Sequence, residues 1–258
     1  MQLWTHRVCI WFLMAAALCM GLTPIRSTAG LTEELGPASI DWSSRTITAK
    51  GWAEAIRAES EDNRNRAVTE RRAKMQARHN LWNGLLQVRV ENEITVQDIV
   101  DRNPDTAKAL RELVHTSPIT RAETPGNSTE KVRLENGMQD QGAAFQASFS
   151  LKGQRAALCI PSQVWYAEKE LAASVVNGTQ QGSGNGFSGL IVDARGLGGK
   201  PALLCRLFDA QGRLVYGPSM VSRQVGEEQG VVGYEASISR AMADSRTGDA
   251  PLVLRARS

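Results

Sequence analysis

The pattern in this sequence that comes nearest to a cofactor motif is a glycine-rich loop at residues 184–189, which reads G-N-G-F-S-G. This spacing matches the phosphate-binding loop of dinucleotide-binding proteins, and Asp209 follows where an acid that binds ribose would stand. Such a loop must lead from a strand into a helix, because the helix N-terminus faces the pyrophosphate. Here the loop leads into an apolar run at residues 190–192, which is typical of a strand. We therefore predict a linker at this loop and no cofactor.

Nucleophilic catalysis and metal binding lack the partners that they require. Beyond residue 29 the histidines are His79 and His115, and the cysteines are Cys159 and Cys205. Acid–base or nucleophilic chemistry needs a positioned pair of groups, and a zinc site needs ligands at short, regular spacing. These four residues are too far apart in sequence to suggest either arrangement. We therefore predict no catalytic residue, no metal and a protein that is not an enzyme.

The composition indicates a folded, water-soluble chain. Of the 258 residues, 42% are hydrophobic and 22% are charged, which is the ordinary range of globular proteins. The 30 lysines and arginines against 27 acids give a formal net charge of +3. This charge is too small for the basic footprint of a nucleic-acid-binding protein, so we expect no nucleic-acid partner.

The first 29 residues are typical of a secretory signal peptide. A short start containing Arg7 precedes an uncharged apolar run at residues 8–22, and small residues end the segment at Ala29. The apolar run is shorter than the ~20 residues that a spanning helix needs. We therefore predict cleavage between Ala29 and Gly30 and export to the periplasm.

The cysteines leave two alternatives open. Cys19 stands near the end of the apolar run, as an acylated lipoprotein cysteine would, although Leu18 is bulkier than the small residue expected before it. Acylation at Cys19 would anchor the protein to a membrane. In an oxidising compartment Cys159 and Cys205 either form a disulfide or remain two separately buried thiols.

An α+β layer domain is predicted at residues 45–160, after an N-terminal linker at residues 30–44. Its strongest signal is a long amphipathic helix, in which alanines and leucines recur at four-residue steps to form a core face. Val68 and Met75 continue the apolar stripe beside that face.

The strand that follows this helix alternates Val88 and Val90 with Arg89 and Glu91, which predicts one buried face and one face in water. Short helices and two strands complete the domain. The predicted order is a strand at 45–52, the long helix at 63–86, a strand at 87–95, short helices at 96–100 and 105–114, and strands at 119–123 and 144–151.

A smaller, strand-rich α+β module is predicted at residues 188–258, after a connecting helix and Gly-rich linker at 161–187. Asp193 and Arg195 form a charged pair beside an apolar strand, which makes them candidates for an interaction surface together with Trp165. The predicted elements of the module are strands at 189–194, 202–208, 213–216 and 251–256 and a helix at 234–243.

Basic residues are frequent along the long helix and could contact an anionic lipid or polymer. Acidic residues interleave with them, which favours an ordinary solvated face. The basic residues are Arg64, Arg66, Arg71, Arg72, Lys74 and Arg78, and the acids are Glu59, Glu61, Asp62 and Glu70.

Three stretches follow one another as strand, alanine-rich helix and strand. They read I-T-A-K-G-W-A-E-A at 47–55, R-A-V-T-E-R-R-A-K-M-Q-A-R-H-N-L at 66–81 and V-R-V-E-N-E-I-T-V-Q-D at 88–98. This series resembles the LPP-type family of bacterial outer-membrane lipoprotein-like domains over residues 45–151. The segment G-L-I-V-D-A-R-G-L at 189–197 looks like a module that follows this domain in some envelope proteins. The resemblance implies an exported, non-enzymatic protein associated with the outer membrane or the flagellar apparatus.

Two functional hypotheses follow. The first is an exported cell-envelope protein with a structural or assembly role at the periplasm or outer membrane, including the flagellum. Its partners would be envelope or flagellar proteins or a second copy of itself, with membrane contact that is peripheral or through a lipid anchor. The alternative is a periplasmic module that binds a small molecule or glycan where Trp165, Asp193 and Arg195 meet between the two units.

Overall fold

The computed structural model describes residues 30–55, 63–123, 142–165 and 186–257. Within them the protein is a mixed α+β structure, so the predicted fold class is confirmed. The predicted signal peptide with Ala29 and Cys19 lies outside the described residues, as does most of the predicted Gly-rich linker. Among the described residues, no helix is both long enough and apolar enough to cross a membrane.

The N-terminal part is a five-stranded antiparallel sheet with helices packed against it. Its elements are β1 (Thr32–Leu35), β2 (Ala38–Asp41), β3 (Thr46–Ala53), α1 (Asn63–Leu86), β4 (Arg89–Glu91), β5 (Ile94–Thr95), α2 (Val96–Arg102), α3 (Pro104–His115), β6 (Ile119–Arg121), β7 (Ala143–Ser150) and α4 (Gln154–Cys159). The strand order in the sheet is β1-β2-β3-β7-β6. The central pair, β3 and β7, stays in register over all eight residues of β3.

The predicted N-terminal linker at residues 30–44 is wrong, because β1 and β2 occupy most of it. Gly36 turns the chain between them at φ +61, and β2 then buries Ala38 and Ile40 against the core. Each strand is four residues long and holds too few apolar positions to show a period. The predicted strand after the linker is present as β3.

The predicted long helix is confirmed as α1, which lies across β3 and β7. Small residues allow the close approach, since a Cβ at Gly51 of β3 would overlap the backbone of Ala73 and Ala77. The predicted stripe is wrong in part. Val68 is 41% exposed and Met75 is 60% exposed, so these two side chains face away from the core.

β4 and β5 pair as an antiparallel hairpin, and the two short helices that follow it are separated at a proline, as predicted. Asp98 accepts hydrogen bonds from the backbone N–H and hydroxyl of Thr95 at 2.7 and 2.9 Å, which caps the start of α2. Asn103 accepts from the N–H of Thr106 at 3.2 Å, and Pro104 begins α3.

The C-terminal part consists of short elements. After a 3₁₀ turn at Ser162–Trp165 they are β8 (Gly189–Asp193), β9 (Leu207–Phe208), β10 (Leu214–Tyr216), a 3₁₀ turn at Pro218–Met220, α5 (Arg223–Gln229), α6 (Ile238–Ala243) and β11 (Pro251–Arg255). β9 and β10 form the predicted hairpin, while β8 pairs in parallel with β11. A Cβ at Gly189 would lie 2.5 Å from the carbonyl oxygen of Thr247, so the close pairing at the start of β8 requires glycine.

The two parts share one hydrophobic core. Leu203, Leu204 and Val231 from the C-terminal part are buried in the same cluster as Trp42 and Phe149 from the N-terminal part. The C-terminal module is therefore packed on the N-terminal sheet domain and buries apolar surface against it.

Candidate functional site

The predicted interaction residues Asp193 and Arg195 pair with each other at the exposed end of β8. Arg195 Nε donates to Asp193 Oδ1 at 2.7 Å, and Arg195 Nη2 donates to Asp193 Oδ2 at 2.8 Å. The backbone N–H of Arg195 donates to Oδ1 at 3.2 Å. These hydrogen bonds, chiefly those from the side chain, lower the pKa of Asp193 to about 2. The pair therefore holds the turn that leaves β8.

A second Asp–Arg pair holds the turn between β9 and β10. Asp209 Oδ1 accepts from the N–H groups of Gln211 and Arg213, both at 2.9 Å, and Oδ2 accepts from Arg213 Nε at 2.7 Å. Gly212 completes this turn at φ +76. Asp209 thus closes the β9–β10 hairpin, and this role accounts for an acid at that position.

Trp165 does not lie on an exposed surface, so its predicted place in an interaction surface with Asp193 and Arg195 is wrong. The indole is 6% exposed and packs into the shared core against Gly226 of α5. A Cβ at Gly226 would overlap the ring. The large apolar surface of tryptophan explains this placement, because burying it is strongly favourable.

Both cysteines are free thiols in the structure, which corresponds to the separate-thiol alternative and not to the disulfide. Cys159 is buried at the end of α4, and burial raises the pKa of its thiol to about 12. Cys205 is partly buried, which also raises its thiol pKa. Raised pKa values suppress the thiolate form on which cysteine reactivity depends.

The histidines are likewise apart from any cluster of ligands. His79 lies on the exposed side of α1 beside Asn83, and His115 is the exposed last residue of α3. In the described parts of the chain, no three His, Cys, Asp or Glu side chains group closely enough to hold a metal ion.

The most developed polar arrangement is a seam between β4 and the C-terminal module, which we call the docking seam. The N–H groups of Leu203 and Leu204 donate to the carbonyl oxygens of Arg89 and Val90 at 3.0 and 2.8 Å. The predicted strand at 202–208 is therefore wrong in its first half, because this segment extends along β4 and only β9 forms a strand. Arg89 Nε also donates to the carbonyl oxygen of Pro201 at 2.9 Å.

The charged side chains of β4 pair across this seam and are only partly exposed. Arg89 forms an ion pair with Glu33 of β1, whose Oε2 also accepts from Trp42 Nε1 at 3.0 Å. Glu91 forms an ion pair with Arg206 of the module. The predicted water-exposed face of this strand is thus the face on which the module docks.

Tyr234 closes the seam from the side of the module. Its hydroxyl accepts from the N–H of Ala202 at 3.1 Å and donates to the carbonyl oxygen of the same residue at 2.9 Å. Its ring meets Trp42 edge-on, with centroids 5.8 Å apart. Burial raises the pKa of Tyr234 to about 12, so the hydroxyl keeps its proton at neutral pH.

A second arginine of the same junction is more deeply buried than Arg89 and lacks such partners. Arg45 stands in the turn between β2 and β3 at φ +56 and is 7% exposed. Its Nη1 and Nη2 atoms are buried without a hydrogen-bond partner. Across the junction is Gly230, where a Cβ would lie 3.0 Å from Nη1. Burial, and secondly the charge of Arg246, lower the pKa of Arg45 to about 10.

Arg246, whose charge lowers the pKa of Arg45, lies at the same end of α5. The carbonyl oxygens of Gln229 and Gly230, at the end of α5, already accept hydrogen bonds from Arg246. A buried cation without a paired anion or acceptor destabilises the folded protein. Sequence reasoning missed Arg45, Arg89 and Tyr234, and no local spacing distinguishes them from surface residues.

The C-terminal module is similar to a known domain. The family model described as the second domain of Treponema pallidum Tp0624 matches residues 189–258. The match begins at the first residue of β8 and includes both Asp–Arg turns and Tyr234, whereas Arg45 and Arg89 lie outside it. No curated protein matches the chain.

Proposed function

We propose that this protein is an exported, non-enzymatic component of the bacterial cell envelope, of the LPP type, with a structural or assembly role. Its proposed place is the periplasm or the outer membrane. The proposed partners are other envelope or flagellar proteins, or a second copy of the chain. We propose that it binds these partners through a rigid surface.

The observation that carries this proposal is the docking seam. The seam and the shared core fix the module on the sheet domain, because backbone hydrogen bonds, an ion pair and the ring contact between Tyr234 and Trp42 all cross between them. The charged side chains of the module, such as Asp193 and Asp209, close its turns. Rigid elements of this kind suit a protein that presents a binding surface.

Export is tested by fractionating the cells that make the protein and measuring its intact mass. We expect the chain in the periplasmic or outer-membrane fraction, beginning at Gly30. A chain that begins at acylated Cys19 in the membrane fraction would keep the envelope role but make the protein a lipoprotein. An unprocessed chain in the cytoplasm would contradict the proposal.

Contact with partners is tested by photo-crosslinking in those cells. A photoreactive amino acid replaces Phe208 or Val215, two exposed apolar residues of the β9–β10 hairpin. The control replaces the exposed Lys108 on α3. We expect a discrete crosslinked envelope protein, or a crosslinked dimer, from the hairpin positions and not from the control. A monomer without crosslinks at either hairpin position would contradict a role in assembly.

Arg45 favours a second candidate function, the binding of a small molecule that carries a carboxylate or phosphate group. Its unpartnered guanidinium matches the geometry of such groups. The charge of the exposed Glu228 raises the pKa of Arg45, so an anionic ligand at this place would act on Arg45 in the same direction.

This candidate is tested by thermal unfolding in inorganic phosphate or citrate at constant ionic strength. We expect either anion to raise the Tm of the wild-type protein and of an Arg102→Met control, but not that of Arg45→Met. Equal shifts in all three proteins would assign the effect to general salt and remove the candidate.

A further inference from the structure

The outer face of α1 is a line of exposed basic and apolar side chains. Arg64, Val68, Arg71, Arg72 and Met75 follow one another at three- and four-residue steps or as neighbours, so they share one face of the helix. All five are exposed, and Met75 is the most exposed large apolar side chain of the helix at 60%. We call these five residues the cationic ridge.

Within α1 itself, basic side chains outnumber acidic ones. The helix contains six lysines and arginines, and its acid is Glu70. Glu70 is already shared by three cations, with N–O distances of 3.6 Å to Arg66, 3.9 Å to Lys74 and 2.6 Å to Arg121. Within the described residues, Arg71 and Arg72 have no ion pair. The other acids that favoured a solvated face on sequence grounds lie in residues 56–62, outside the described part.

The opposite face of α1 cannot take part in binding, because it is held on the sheet. Ala73 and Ala77 are fully buried against β3, where Gly51 allows backbone contact. The ridge is therefore the convex outer side of a folded helix. Its partner must be flat or shallow and must carry negative charge.

The geometry points to a direct contact between the cationic ridge and the anionic headgroups of a phospholipid bilayer. Arg71 and Arg72 supply the electrostatic attraction to such a surface. Val68 and Met75 reach the acyl boundary below the headgroups. The exposed apolar pair distinguishes a bilayer from a nucleic acid or an acidic protein segment, since those polyanions offer no apolar layer beneath their charge.

This contact rests on the proposed location in the envelope, where such bilayers are available. It is side-on and peripheral, because α1 stays packed on the sheet. A contact built mainly on exposed charges weakens as salt rises. Vesicle binding in vitro tests the contact with a bilayer, whereas cell fractionation tests the location in the envelope, and either result can fail without the other.

The experiment measures co-sedimentation of the protein, purified from cells that express the full chain, with vesicles of phosphatidylglycerol and phosphatidylethanolamine. Vesicles of phosphatidylcholine are the uncharged comparison. The test variant is Arg71→Glu with Arg72→Glu. Its matched control is Arg102→Glu with Lys108→Glu, which reverses the same number of exposed charges on α2 and α3. Far-ultraviolet circular dichroism checks that each variant keeps its helix content.

We expect the wild-type protein and the matched control to bind anionic vesicles within two-fold of each other, roughly, and to release them as sodium chloride rises. The ridge variant should bind at least about ten-fold more weakly, because reversing two arginines removes about 2 kcal/mol or more of attraction. Met75→Ser should weaken binding a few-fold without changing its dependence on salt.

Three outcomes would overturn the inference. Equal loss in the ridge variant and the matched control would show that only net charge matters. Absence of binding to anionic vesicles by the wild-type protein would remove the contact altogether. Binding to polyglutamate or DNA that depends on Arg71 and Arg72, with no effect of Met75→Ser on vesicles, would assign the ridge to another polyanion.

Discussion

Two arginines lie in the junction between the sheet domain and the C-terminal module, Arg45 buried and Arg89 partly buried, and they differ in almost every contact. Arg89 stands on β4 and contacts Glu33, the carbonyl oxygen of Pro201 and the face of Trp42. Arg45 stands in a turn, and its terminal nitrogens meet the end of α5 without an acceptor. The comparison teaches that burial alone does not decide whether a charge stabilises a junction. Whether a buried charge stabilises the junction depends on the hydrogen-bond acceptors that the facing part of the protein offers to it.

The largest effect is expected from Arg89→Met. The substitution leaves the partly buried Glu33 without its cation and removes the hydrogen bond to Pro201, so we expect a loss of about 2–3 kcal/mol in the free energy of unfolding. Urea unfolding followed by circular dichroism measures this loss. Arg102→Met on the exposed end of α2 is the control and should change stability by no more than ~0.5 kcal/mol. A similar small change at Arg89 would mean that the docking seam does not hold the two parts together.

Tyr234→Phe should have the next largest effect, a loss of about 1–2 kcal/mol in the free energy of unfolding. The substitution removes the hydroxyl that bonds both the N–H and the carbonyl oxygen of Ala202, which leaves these two groups without that partner. The pKa of Tyr234 is raised in the folded protein to about 12 from 10.0. Its contribution is therefore complete below pH 10 and is lost as the pH rises towards 12. The stability difference between the wild-type protein and Tyr234→Phe should shrink over that range in urea titrations. A difference that stays constant from pH 9 to pH 12 would contradict this assignment.

Arg45→Met should act in the opposite direction to Arg89→Met. Replacing an unpartnered buried cation with an apolar side chain of similar length should stabilise the protein by about 1 kcal/mol in buffer without multivalent anions. The pKa of Arg45 is lowered in the folded protein to about 10, so the unfolded chain holds this proton to a higher pH than the folded protein does. Raising the pH through this window therefore stabilises the wild-type protein relative to the variant. A loss comparable to that of Arg89→Met would show that Arg45 has a partner in solution.

The smallest effect is expected from Asp193→Asn, whose side chain pairs with Arg195 in water. The pKa of Asp193 is lowered to about 2 from 3.8, so its contribution is present above pH 3.8 and disappears as the pH falls through 2. The variant should be only slightly less stable at pH 7 and equal to the wild-type protein near pH 2. Thermal unfolding at both pH values measures this. A large loss at pH 7 would mean that the turn after β8 supports the module more than an exposed pair normally does.

Sequence patterns predicted the elements that follow one strong rule. The alanine spacing predicted α1, Pro104 predicted the break between α2 and α3, and alternation predicted β7. The strands β1 and β2 escaped because four residues are too few to show a period. Val68 and Met75 were assigned to the core because an apolar type was taken as evidence of burial, yet helix geometry places them on the outer face.

The candidate site was harder to predict than the fold, for a physical reason. Alternation on β4 shows that Arg89 and Glu91 share a face. The same alternating sequence pattern results whether that polar face lies in water or in a docking seam. The choice depends on residues 201–206, which are far away in sequence. The predicted surface at Trp165, Asp193 and Arg195 failed because residue type says little about which side chains a distant helix will cover.

The parallel pairing of β8 with β11 has a consequence for the order in which the chain can fold. Ser188 Oγ accepts a hydrogen bond from the N–H of Ala250 at 2.8 Å across 62 residues, and the ladder from Gly189 to Asp193 continues from there. While the chain is being synthesised, β8 has no partner until the residues of β11 have emerged. Pairing at such separation is slow, because a long loop must close before any contact forms. The module is therefore completed last, and a nascent chain stopped before residue 251 would hold the apolar strand β8 without its neighbour.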